Sequence, residues 1–173
     1  MDPRYPIGTF TFEGEITAAQ REQWIREIET LPAKMRQAVA GLSEDQLNLP
    51  YREGGWTLRQ VVHHVGDSHI NAYTRFKLAL TEETPTIRPY YEDRWAELPD
   101  YRADIQVSLA LLEALHQRWV ILLKAMSDAD FERPFHHPAS GQTTSLAYNL
   151  GSYAWHGNHH LAHITALRTK LDL

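Results

Sequence analysis

Ten histidines stand in this chain, and four of them, His156, His159, His160 and His163, fall within eight residues near the C-terminus. Imidazole is a neutral nitrogen ligand and a proton carrier near pH 7, so the cluster points to metal binding or proton transfer. There is no cysteine, which removes thiolate nucleophiles, CxxC redox pairs, cysteine-ligated zinc, iron–sulfur clusters and disulfides. Any metal must therefore sit on His, Asp or Glu. Imidazoles four residues apart share one helical face and can grip one ion, the spacing that HExxH zinc helices use. On a helical wheel His156 and His160 lean into an apolar face made by Leu146, Leu150, Tyr153, Ile164, Leu167 and Leu171. His159 points away from that face and His163 lies on its border, so His156 and His160 are the favoured pair over His159 and His163. Zinc on nitrogen normally takes at least three protein donors, which requires a ligand from elsewhere. His63, His64 and His69 are the candidates, and spacing alone does not choose among them. His116 reads as an ordinary helix residue, and His136 and His137 as loop residues that could rim a pocket. Asp67 could orient a ligand imidazole by accepting its second N–H.

These residues must be positioned by helices. Thr17 followed by Gln20 has capping-box spacing, and Trp24, Ile25, Ile28, Leu31, Met35 and Val39 recur at helical intervals, predicting a helix over 17–41. Ser43 and Gln46 repeat the signal before a short turn that Pro50 ends. Thr57 and Gln60 open a second long helix over 57–81, with Leu58, Val61, Val62, Val65, Ala72, Tyr73, Phe76 and Leu80 in one stripe. Pro85, Pro89 and Pro99 enforce a long connection carrying Tyr90, Tyr91 and Trp95. A third helix is expected over 101–126, and a fourth from about Thr144 to the C-terminus. Before them, Met1 to Glu15 reads as an extended arm. With no clear strand pattern, this is an all-α chain: one domain over 1–173, a four-helix bundle with one crossover longer than the rest.

Charge and hydropathy limit the partners. The formal net charge is −5 and there is no Lys/Arg block, so no nucleic-acid partner is expected. The longest apolar run, Trp119 to Leu123, is far too short for a membrane span. The first residues lack the basic start and apolar run of a secretory signal, and the expected location is the cytoplasm.

The stretch Trp56-Thr57-Leu58-Arg59-Gln60-Val61-Val62-His63-His64-Val65-Gly66-Asp67 resembles the W[ST]xxxVxxHxxD opening of the DinB-like superfamily. In that family the histidine three residues before the Asp is a metal ligand, a position that falls on His64. Trp155 through Ile164 resembles the HxxxHxxQI close of the same superfamily, whose spaced histidines correspond to His156 and His160. His163 stands where Gln is common. The arm Arg4 to Gly8, the stretch Asp67 to Thr81 and the segment Phe135 to Gly141 are similar, more narrowly, to the YfiT branch. The resemblance covers nearly the whole chain and implies a four-helix bundle, a homodimer and a metal-dependent hydrolase with His64, His156 and His160 as ligands.

A neutral three-imidazole site leaves a tetrahedral divalent ion one open position, the catalytic kind of site; zinc or nickel suits the ligand type. One such ion per chain could activate water for hydrolysis of a small-molecule substrate, or bind an incoming thiol as thiolate. The residues flanking His156 are Trp155 and Gly157, so no dedicated base like the Glu of HExxH is visible. The superfamily also includes S-transferases using low-molecular-weight thiols of the bacillithiol type, which makes thiol transfer the rival. A non-catalytic metal-binding module is the third class, and His63, His69 or His163 closing the site would favour it. Tyr90, Tyr91 and Trp95 are the aromatic anchors expected at a dimer interface.

Overall fold

Each long helix starts at a side chain that satisfies its first free N–H groups. Thr17 accepts from Gln20, Thr57 from Gln60, Asp104 from Gln106 and Ser145 from Tyr148, all backbone N–H donors. Reciprocal capping boxes close at Ser43 and Thr57; at Thr17 only the hydroxyl half forms. The computed structural model describes residues 2–173. In chain order the elements are α1 (Ala18–Val39), the single turn α2 (Glu44–Leu47), α3 (Leu58–Thr81) and the turn α4 (Glu92–Trp95). They continue with α5 (Ile105–Ala125), the turn α6 (Asp128–Phe131), strands β1 (Pro134–His137) and β2 (Gln142–Ser145), and α7 (Leu146–Leu171).

The long helices α1, α3, α5 and α7 make a four-helix bundle. Helix α1 packs on α5 and α7, and α3 packs on the same two. Consecutive long helices α1 and α3 therefore lie across one diagonal, and α5 and α7 across the other. The connections run over 40–57, 82–104 and 126–145, the middle one longest as expected, and the first and last each span a diagonal. The third helix starts later than expected, because Pro99–Arg102 form a 3₁₀ turn before the Asp104 cap. The all-helical expectation misses one antiparallel hairpin, in which Phe135 pairs with Thr144 and His136 with Thr143. Thr144 is thus a strand residue and α7 begins at Leu146. No helix among the described residues is long and apolar enough to cross a membrane.

The apolar interior falls into two blocks. One holds Trp24, Ile28, Phe76, Trp119, Leu146 and Leu150; the other Leu31, Met35, Val62, Leu109, Leu112 and Ile164. Between them His64, Ser68, His69, His116 and His160 are all buried, forming a polar layer through the middle of the bundle. The arm lies over this layer and the first block, with Phe10 and Phe12 against Trp24 and Tyr5 against His159.

Close approach of α1 to α7 depends on Gly157, which sits between the two histidines of the favoured pair. A Cβ there would lie 2.4 Å from Leu31 Cδ2 and 3.3 Å from its Cγ, and Leu31 is itself buried in a close-packed interior. Gly157→Ala is therefore expected to destabilise by about 1–3 kcal/mol, even though alanine gains about 1 kcal/mol of helix propensity. Thermal unfolding followed by circular dichroism checks this; a raised midpoint would show that the helices can separate without cost.

Candidate metal centre

Helix α3 presents His64 and α7 presents His156 and His160, so the adjacency of these two helices brings the three rings together. Each offers a nitrogen, and the three nitrogens all lie within 4.8 Å of one another. His64 Nε2 is 3.2 Å from His156 Nε2. Two nitrogens bound at about 2.0–2.1 Å to one tetrahedral ion would stand about 3.3–3.4 Å apart, so this spacing needs only a small adjustment to hold one. Trp56 covers the cluster, its ring 4.5 Å from that of His64. Ser68 Oγ lies 3.4 Å from His156 Nε2.

Burial keeps these imidazoles neutral. His64 is pushed down to about 4, and His156 and His160 well below the ordinary histidine value, in each case chiefly because the cationic form would lose its hydration. Neutral imidazole is the ligating form. The donor set thus fits a divalent ion whose charge is not offset by any carboxylate in the cluster.

Among the remaining histidines, His63, His69 and His163 have hydrogen-bond partners, whereas the Nδ1 of His159 is buried without one among the described residues. His63 turns away, its Nε2 within reach of the Ala103 carbonyl at 3.2 Å and its Nδ1 2.7 Å from Ser108 Oγ. His69 sits behind the cluster, with Nε2 3.2 Å from His156 Nδ1 and Nδ1 2.9 Å from His116 Nε2. His163 sits behind His160, their Nδ1 atoms 3.3 Å apart, and stacks on Tyr51. His159 and His163 form with His160 a second group of three close nitrogens; His159 is buried under Tyr5 and Trp155 rather than pointing into solvent. The wheel placed His159 outward because it considers one helix at a time and contains no arm.

Two readings of single residues are corrected. His116 is not an ordinary helix residue: it is buried at the polar layer and its Nδ1 lies 2.6 Å from the Ile28 carbonyl oxygen. Asp67 does not orient a histidine, since its carboxylate accepts from the Tyr101 hydroxyl at 2.7 Å. Of the three aromatic anchors in the long connection, only Tyr91 is exposed. Tyr90 and Trp95 are half-buried, 4.6 Å apart, and burial pushes the Tyr90 phenol up to about 12.

Of the three rings, that of His156 borders a cavity. This cavity of about 250 Å³ is lined by Arg75, His137, Asn149, Tyr153, Trp155 and His156, among others. The hairpin supplies His137 as one wall, so of the two histidines of the proline-flanked segment His137 rims a pocket and His136 does not line it. Arg75 donates to the Tyr153 hydroxyl at 3.1 Å. A wider groove of about 600 Å³ between α1 and α5 contains none of the three converging rings.

The sequence profile of the DinB superfamily matches residues 27–164. A Bacillus mycoides (strain KBAB4) protein bearing the name "Putative metal-dependent hydrolase" is 57% identical over 171 residues, covering 99% of this chain and 98% of its own. A Bacillus anthracis protein of the same name is 56% identical with the same coverage. The solved structure of YfiT from Bacillus subtilis, described as "a probable metal-dependent hydrolase with an unusual four-helix bundle topology", is similar with a TM-score of 0.97. It shares 50% identity, and the match covers 99% of each chain.

Acid should destabilise the metal-free protein. The unfolded chain takes up protons as pH falls through about 6.5, whereas His64, His116 and His159 resist protonation until about 4. Their stabilising contribution is complete above about pH 7 and is lost progressively between about pH 6.5 and 4. The unfolding midpoint should decline through that interval; a midpoint unchanged from pH 7 to 5 would contradict the burial of neutral imidazoles.

Proposed function

This chain belongs to the DinB superfamily, and from that premise we propose that it is a hydrolase dependent on one divalent ion, zinc or nickel, held by His64, His156 and His160. The observation that carries this reading is the convergence of three neutral ring nitrogens, one from α3 and two from α7, one of whose rings, that of His156, lines a cavity. Held by these three neutral imidazoles, a divalent ion would supply a water nucleophile activated near pH 7.

The chain's own groups would do the rest. Ser68 carries a hydroxyl beside His156 and can hold a proton or a substrate oxygen there. Arg75, fixed by Tyr153, brings positive charge to the cavity wall and suits a substrate bearing a carboxylate or a polarised carbonyl. Trp56 shields the rings on another side, which strengthens electrostatic interactions inside.

Thiol transfer is the second reading, favoured by one observation. The carboxylate nearest in sequence to His64, that of Asp67, is engaged by Tyr101 rather than turned to the rings as a general base. A transferase would need no such base for water.

Metal quantification after loading should give one ion per wild-type chain, and folded His64→Ala, His156→Ala and His160→Ala variants should each lose it. Full occupancy in His156→Ala would sink the assignment. The loaded protein should hydrolyse esters or amides in buffer without thiol; turnover that requires thiol and yields a thioether adduct would replace hydrolysis by transfer. Arg75→Met should raise KM for a carboxylate-bearing substrate about tenfold or more while changing kcat little.

A further inference from the structure

The direction of every hydrogen bond behind His156 is set by one carbonyl. In α1 the residue four positions after Ile28 is Pro32, which has no N–H, so the Ile28 carbonyl oxygen has no helical donor. His116 Nδ1 reaches it at 2.6 Å. A carbonyl can only accept, so His116 carries its hydrogen on Nδ1, and a neutral imidazole then has a bare Nε2. That Nε2, 2.9 Å from His69 Nδ1, must accept, which places the His69 hydrogen on Nδ1 and leaves its Nε2 bare. His69 Nε2 in turn, 3.2 Å from His156 Nδ1, must accept from it. The last member, His156, is left with its Nε2 lone pair facing His64 Nε2 and Ser68. Among the described residues no carboxylate bonds to any of these three rings, so the neutral forms used in this chain of reasoning have no ionic rival.

The same construction recurs on the other ligand. His163 Nε2 donates to the Arg4 carbonyl in the arm at 3.2 Å, so its Nδ1 is bare and accepts from His160 Nδ1 at 3.3 Å, leaving Nε2 of His160 free.

We propose that His69 and His116, anchored on the Ile28 carbonyl that Pro32 leaves unpaired, are positioning residues that lock His156 in the Nδ1–H tautomer and so present its Nε2 lone pair to the ion. This rests on the three-histidine reading above. Neither residue touches the cluster's centre; each acts through the next ring. Outer partners of this sort fix the tautomer and basicity of a ligand imidazole.

The test separates positioning from mere packing. Long-range proton–nitrogen correlation on metal-free protein with labelled histidine rings should find the hydrogen on Nδ1 of His69, His116 and His156. Zinc affinity, measured by competition with a chromophoric chelator, should fall about 10–100-fold in His116→Leu. It should return near wild type in His116→Gln, whose amide can both accept from His69 and donate to Ile28. Val120→Ala, a buried change on the same helix, should lower the unfolding midpoint but leave zinc affinity unchanged. The proposal is overturned if His156 of the wild type carries its hydrogen on Nε2, if His116→Leu binds zinc as the wild type does, or if Val120→Ala weakens binding equally. The tautomers are read on unaltered, metal-free protein, so they decide the matter even if His116→Leu does not fold. A wild type that binds no zinc would instead sink the three-histidine reading.

Discussion

A buried imidazole must have a partner for each ring nitrogen or bear a desolvation cost of about 1–3 kcal/mol per unmet group. This bundle puts several such rings in one layer between two apolar blocks, and most of its less regular features serve that layer. A proline in the middle of α1 would ordinarily be a defect. Here it leaves a carbonyl unspent at the height where His116 arrives from α5. The arm closes the opposite end, with Arg4 giving its carbonyl to His163. Backbone acceptors at the two ends fix the tautomers of His116, His69 and His156 on one side and of His163 and His160 on the other.

The topology follows from the same need. Because α3 packs beside α7, His64 can meet His156 and His160; had consecutive helices been neighbours throughout, α3 would not necessarily have faced α7. The diagonal connection into α7 also carries the hairpin, which brings His137 to the same cavity as Tyr153. Glycine at 157 lets α1 approach α7 between His156 and His160, where any side chain would strike Leu31.

Much of this was legible in the residues. Apolar periodicity and capping residues define the four long helices within a few positions, since both signals are local. Spacing put His156 and His160 on one face, while His64 among its neighbours came only from the family resemblance. What the sequence concealed is long-range: His116 and His69 meet across α5 and α3, and His159 lies under an arm more than a hundred residues away. The hairpin escaped because its strands are four residues each and Phe135 is their single buried apolar side chain, giving no alternation to read. Pro32 was visible, but its effect on Ile28 has meaning only once His116 is seen opposite that carbonyl.

The most direct measurement of the central claim is anomalous diffraction from crystals of zinc-loaded protein. One peak per chain is expected at about 2.0–2.1 Å from ring nitrogens of His64, His156 and His160, with His69 and His163 remaining behind them. A peak held instead by His159 and His163, or none at full zinc loading, would contradict the account.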